Sequence, residues 1–304
     1  MKKELKNILV PIDFESPSSS ALKFALNFAR ENNSKITIVN VLETPGILSD
    51  FFSSGDQIVK LANQIKDKLN NLAKEAKKDF PEIEIDTRVE RGKAYKKILE
   101  IIDEIEPRMV ILGENHEGDQ AGKNLGTSVY HITLQSSAPV LTLKGNRIET
   151  GKKIVVPLDL TKRTGKKIFS ALVYGINYNA EIHLVSSLIG GIAMKQSRIY
   201  KKLKDAELTL TENNVKCTTA LFERTEIPPY KRVLEYTENI NADMIMIMTH
   251  QEGYTYDNYI GAFAHHIINE SNVPVLTLTS SASDKSLSSV FTPFVDPAGV
   301  LTQK

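Results

Sequence analysis

Short, wholly apolar runs alternate along the chain with longer segments in which apolar residues recur every three or four positions. NILVPID (7–13), KITIVNVLE (35–43) and MVIL (109–112) are of the first kind, as expected for strands covered on both faces of a parallel sheet. Ile58, Leu61, Ile65, Leu69 and Leu72 fall at helical spacing and predict a long amphipathic helix over 56–78. EIEIDTRVE (82–90) alternates as a further strand, KAYKKILEIIDEIEP (93–107) predicts a helix ended by proline, and PVLTL (139–143) a fifth strand. FESPSSS (14–20) supplies Ser and Pro at helix-start positions to a helix reaching about Glu31, whose Ala21, Ala25 and Ala29 allow close approach to a sheet.

The same order of elements then recurs. IVVPLDL (154–160) repeats ILVPIDF (8–14), while INADMIMI (240–247) and VPVLTL (273–278) repeat IEPRMVIL (105–112) and APVLTL (138–143) at a separation of 135 residues. The chain is therefore a tandem duplication of five strands and four helices, predicting two α/β domains over 1–146 and 152–279. A Ser- and Pro-rich tail, 280–304, is expected to be a surface extension, with Val290, Phe291, Phe294 and Val295 available to dock.

Charge announces no partner. The formal net charge is +1, from 38 basic and 37 acidic residues, so no overall field draws nucleic acid or an anionic membrane. No apolar run reaches the length of a membrane span, and the opening MKKELKNILVPIDF has too short an apolar stretch for a signal peptide. A cytoplasmic protein is expected. Cys217 is the single cysteine, which rules out an internal disulfide and a cysteine zinc cluster, and it reads as a small strand residue.

Candidate chemistry concentrates in 109–143. Met109–Leu112 is a buried-type strand, Gly113 follows where the chain leaves the sheet, and Gly126-Thr127-Ser128 opens a helix carrying Val129, Ile132 and Leu134. Such an arrangement places free backbone N–H groups and two hydroxyls at a helix start, which stabilises anions. Gly113, twelve residues, Gly126-Thr127, a helix and a Pro-Val-Leu strand together resemble the universal stress protein family. Its nucleotide-binding members carry Gly-x2-Gly-x9-Gly-Ser/Thr at this place; here the first and third glycines and the hydroxyl are present, and His116 stands at the second glycine.

The resemblance covers the chain except the tail and implies doubly wound parallel sheets of strand order 3-2-1-4-5. It also implies that the halves pair through their fifth strands, around Val140–Leu143 and Val275–Leu278, as two subunits do in single-domain relatives; homodimerisation of the whole chain is compatible with it. By position, Pro11, Asp13, Val41, Leu112, Gly113, Asn115, His116, Gly126, Thr127 and Ser128 would bind an adenine nucleotide such as ATP, with magnesium carried alongside. The second half keeps Asp159 but lacks a glycine matching Gly113 and follows Gly261 with Ala262, so it is expected to be a structural or regulatory partner.

Other motifs fall away. GDQAGKN (118–124) has three residues between its glycines where a Walker loop has four, and Asn124 where Ser or Thr should hold magnesium. His265 and His266 are adjacent on a helix and diverge, and no HExxH occurs. No catalytic base or metal site is visible, so a sensor or scaffold without substantial turnover is expected. The alternative is a nucleotide-free interaction protein that recruits an unidentified protein partner through its surface or tail.

Overall fold

The computed structural model describes residues 5–43, 55–114, 126–144, 151–187, 197–223, 225–249 and 261–278. Strands β1 (Lys6–Pro11), β2 (Ser34–Leu42), β3 (Ile85–Arg91), β4 (Met109–Glu114) and β5 (Val140–Lys144) alternate with helices α1 (Ser16–Glu31), α2 (Gly55–Asp79), α3 (Ala94–Ile105) and α4 (Thr127–Gln135). The second half repeats this as β6 (Lys153–Pro157), α5 (Gly165–Tyr178), β7 (Glu181–Ser187), α6 (Arg198–Glu212), β8 (Cys217–Phe222), α7 (Pro229–Asn239), β9 (Met244–Met248), α8 (Ala262–Glu270) and β10 (Val275–Leu278).

All ten strands form one sheet, ordered β3-β2-β1-β4-β5-β10-β9-β6-β7-β8. Within each half every pairing is parallel, and the order is 3-2-1-4-5. The halves meet where β5 and β10 run antiparallel, with Leu141 opposite Leu276, Val140 opposite Thr277 and Thr142 opposite Val275. Since Val275 and Thr277 are the repeats of Val140 and Thr142, this register is that of a local two-fold axis through Leu141 and Leu276. Two strands as apolar as PVLTL would be adhesive edges alone, and each covers the other.

Why the strands lack alternation follows from the layering. Ile8 and Val10 face a core shared with α1, α2, α5 and α6 that runs unbroken across both halves, while Leu9 and Val110 face a second core beneath α3 and α4. Ala21, Ala25 and Ala29 are fully buried, which lets α1 lie close on the sheet. β3 begins later than the alternation of 82–90 predicts, because Pro81 sits in a turn closed by Ile83 N–H donating to Phe80 O at 3.2 Å. Side chains also cross the seam: Arg108 donates to the Tyr178 hydroxyl at 3.0 Å, and Tyr178 packs 5.4 Å from Phe28.

Candidate functional site

In an open α/β sheet the strands flanking a reversal of order leave a crevice beyond their carboxyl ends, here between β1 and β4. Pro11 ends β1, and Asp13 follows two residues later, exposed. One oxygen of Asp13 is engaged: Oδ1 accepts from the Glu15 N–H at 2.9 Å and the Ser18 hydroxyl at 2.6 Å, fastening the first turn of α1. Phe14, between them, has φ of 69°, a conformation costly for a bulky L residue and one that sequence pattern does not signal.

Gly113 sits under that same turn. A Cβ on it would lie 2.0 Å from Pro17 O, 2.2 Å from Pro17 C and 2.8 Å from Ser18 N, so only glycine lets α1 rest on β4. Gly113 thus serves helix packing first. Leu112 and Val41 belong to the core beneath α3, Leu112 buried and Val41 half-buried, so at the crevice they offer backbone.

Gly126 is different. As N-cap of α4 it has φ −52° and ψ 139°, ordinary for any residue, and a Cβ there would meet nothing within 4 Å among the described residues. Neither backbone strain nor neighbours explain a glycine here. Thr127 is exposed and Ser128 half-buried, and no side chain caps the helix. Asn115 and His116 lie outside the described residues.

Sequence reasoning missed Glu114. The last residue of β4, it accepts a hydrogen bond on its carboxylate from the Gly126 backbone, and it pairs in register with Lys144 on β5. Its Oε2 is enclosed without a hydrogen-bond partner among the described residues. Burial pushes Glu114 above the usual carboxylate range, against the pull of Lys144 and the Gly126 N–H. Lys144 is in turn lowered to about 8 by burial, opposed by Glu114 and Glu270, and its ammonium donates to Asn269 O in the second half. The one available signal was a charged residue directly after Gly113, where the strand leaves the sheet.

The profile of the universal stress protein family matches residues 4–144 and again 151–278. The chain belongs to the universal stress protein family. In fold it is similar to a universal stress protein from Archaeoglobus fulgidus DSM 4304, with TM-score 0.74 at 16% identity, over 90% of this chain and 98% of that one. A functionally unknown protein from Pseudomonas aeruginosa PAO1 aligns with TM-score 0.67 at 17% identity, over 94% of this chain and 95% of that chain. A putative universal stress protein from Pseudomonas aeruginosa UCBPP-PA14 gives 0.66 at 17%, over 94% and 96%. No curated protein matches the sequence.

The second half of this universal stress protein builds its crevice otherwise. Met248 stands where the first half has Gly113, and α5 starts at Gly165, three residues later relative to Asp159 than α1 starts relative to Asp13. The Met248 side chain is buried in the core that runs across both halves. The α8 cap, Gly261, has the geometry of Gly126 (φ −57°, ψ 143°), but its N–H donates to the backbone oxygen of Thr249 at 3.2 Å. Tyr254, Tyr256, Tyr259 and His250 lie outside the described residues.

Among the described residues no three His, Cys, Asp or Glu converge as a metal site needs, and no helix is long and apolar enough to cross a membrane. His265 and His266 diverge as expected, His265 toward Asn269 and His266 to Glu270. A hollow of about 660 Å³ opens at the opposite, amino end of β1–β3. Its charges are largely matched to one another, Arg88 with Glu104 at 2.7 Å and Lys35 with Asp86 at 3.8 Å.

Proposed function

We propose that the first half binds an adenine nucleotide in the β1/β4 crevice and acts as a ligand-responsive sensor or scaffold without substantial turnover. The observation carrying this reading is Gly126: an N-cap glycine of ordinary φ whose absent Cβ leaves open space among the described residues, so that a phosphate has room to reach the backbone of the first turn of α4. Thr127 and Ser128 would add hydroxyl donors to the free N–H groups of the first turn of α4, a combination suited to phosphate. Asp13, exposed and with Oδ1 engaged by α1, would present its second oxygen to the base. Magnesium would travel on the phosphates.

Glu114 favours a second reading, a nucleotide-free interaction protein, because its carboxylate already takes the Gly126 N–H. Thermal unfolding in an ATP series separates the two. A ligand specific to the folded state at a hundred times its Kd adds about 2.7 kcal/mol and raises Tm by several degrees. Binding of one nucleotide per chain, weakened by changes at Thr127 but not at Ala262, is the expected result. An unmoved Tm at millimolar ATP overturns the nucleotide reading.

A further inference from the structure

The start of α4 in this chain already holds a carboxyl group of its own. Glu114 accepts from the Gly126 N–H, the donor a phosphate would use first, and Lys144 beside it in register supplies the countercharge. The repeat provides an internal comparison, since the matching residue of the second half is Thr249 and the Gly261 N–H there turns to Thr249's backbone oxygen. A phosphate brought to α4 would face the Glu114 carboxylate at the same N–H group, in an enclosed place where like charges repel strongly.

We propose that Glu114 is a built-in competitor for the nucleotide's phosphate, so that binding at this site is accompanied by neutralisation of Glu114 through uptake of a proton. This rests on the nucleotide reading above and adds its regulation. The groups acting on Glu114 are Lys144 from β5 and, through Lys144, Glu270 at the end of α8, which is itself bonded to His266; α4 faces it with the uncharged turn Gly126-Thr127-Ser128. Burial already biases Glu114 toward its protonated form. Protonation removes the charge repulsion and leaves an O–H that can donate to a phosphate oxygen.

The test is the Kd of ATP for the full chain and for Glu114→Gln by calorimetry between pH 6 and 8.5, in two buffers of different ionisation enthalpy. Titration of ATP's own phosphates is common to both proteins and cancels in the ratio of their affinities. Glu114→Gln should bind more tightly, by about tenfold at the alkaline end, the advantage shrinking as pH falls, and only the wild type should take up a proton beyond that of ATP itself. Glu114→Thr, the residue of the second half, gives the same comparison if the glutamine variant fails to fold. Equal affinities at every pH, or weaker binding by both variants, overturn the proposal while sparing the nucleotide reading. Absence of binding by wild type and variants alike overturns both.

Discussion

Replacing Gly113 by alanine forces a methyl group into the backbone of α1. The added carbon would sit 2.0 Å from Pro17 O and 2.2 Å from Pro17 C, whereas real Cβ contacts essentially never fall below 3.0 Å, so the first turn of α1 must lift by about 1 Å. Neither atom is the end of a flexible side chain that swings aside. That lift strains the 2.6 Å bond from Ser18 to Asp13 and loosens a helix that buries Phe24, Leu26 and Phe28. Overpacking of this kind costs roughly 1–3 kcal/mol, and backbone contact puts Gly113→Ala near the upper end, about 3 kcal/mol. In urea, with a slope of about 3 kcal/mol/M, the midpoint should fall by about 1 M. Gly126→Ala is the matched control, since its methyl group meets nothing within 4 Å among the described residues and the loss is that of a poorer N-cap, under about 1 kcal/mol. Equal midpoints for the two variants, or a Gly113→Ala protein within about 0.5 kcal/mol of wild type, would refute the packing argument.

Thr127→Ala should weaken ATP binding by roughly 1–2 kcal/mol, read by calorimetry, with the urea midpoint unmoved, because Thr127 is exposed and caps nothing; unchanged affinity counts against this residue as a contact. His183, buried between the Tyr236 hydroxyl and Glu181 at 3.0 Å each, is held below the usual imidazole range by burial, against an opposing Glu181 that is shared with Lys216. The unfolded chain therefore takes up this proton more readily, so stability falls as pH drops through the ordinary histidine range. The urea-measured advantage of wild type over His183→Gln should accordingly narrow between pH 7.5 and about 5.5, and a widening gap contradicts the assignment. The Cys217 thiol is pushed up to about 12 by burial, with Glu207 adding to it. Labelling by a disulfide reagent at pH 8 should be roughly a thousandfold slower than for free cysteine until the protein unfolds.

The sheet was legible because a strand covered on both faces leaves no polar positions, and because the motif ILVPID recurs as IVVPLD. Duplication of PVLTL likewise pointed to the seam, since such an edge needs a cover. At the site, pattern found the glycines but not what each is for. Gly113 answers to Pro17, a neighbour distant in sequence, and Phe14 adopts a left-handed φ that no sequence pattern signals. Glu114 escaped notice because a motif records which residues a ligand requires, whereas a carboxylate bonded to the start of α4 is visible only once β4, β5 and α4 are brought together.

The antiparallel register of β5 and β10 carries a consequence for how the two crevices can differ. Were the halves separate subunits, one gene would specify both, and any substitution in the crevice would appear twice. Joined in one chain, they meet at an effective concentration in the millimolar range whatever the intrinsic strength of the seam, and always one to one. The seam then constrains the residues that meet across it, Val140 to Thr142 against Val275 to Thr277 in the strands and contacts such as Arg108 to Tyr178 and Lys144 to Asn269 beside them. Residues away from those contacts are released from symmetry, which is how Gly113 can coexist with Met248 and Glu114 with Thr249 in a single protein.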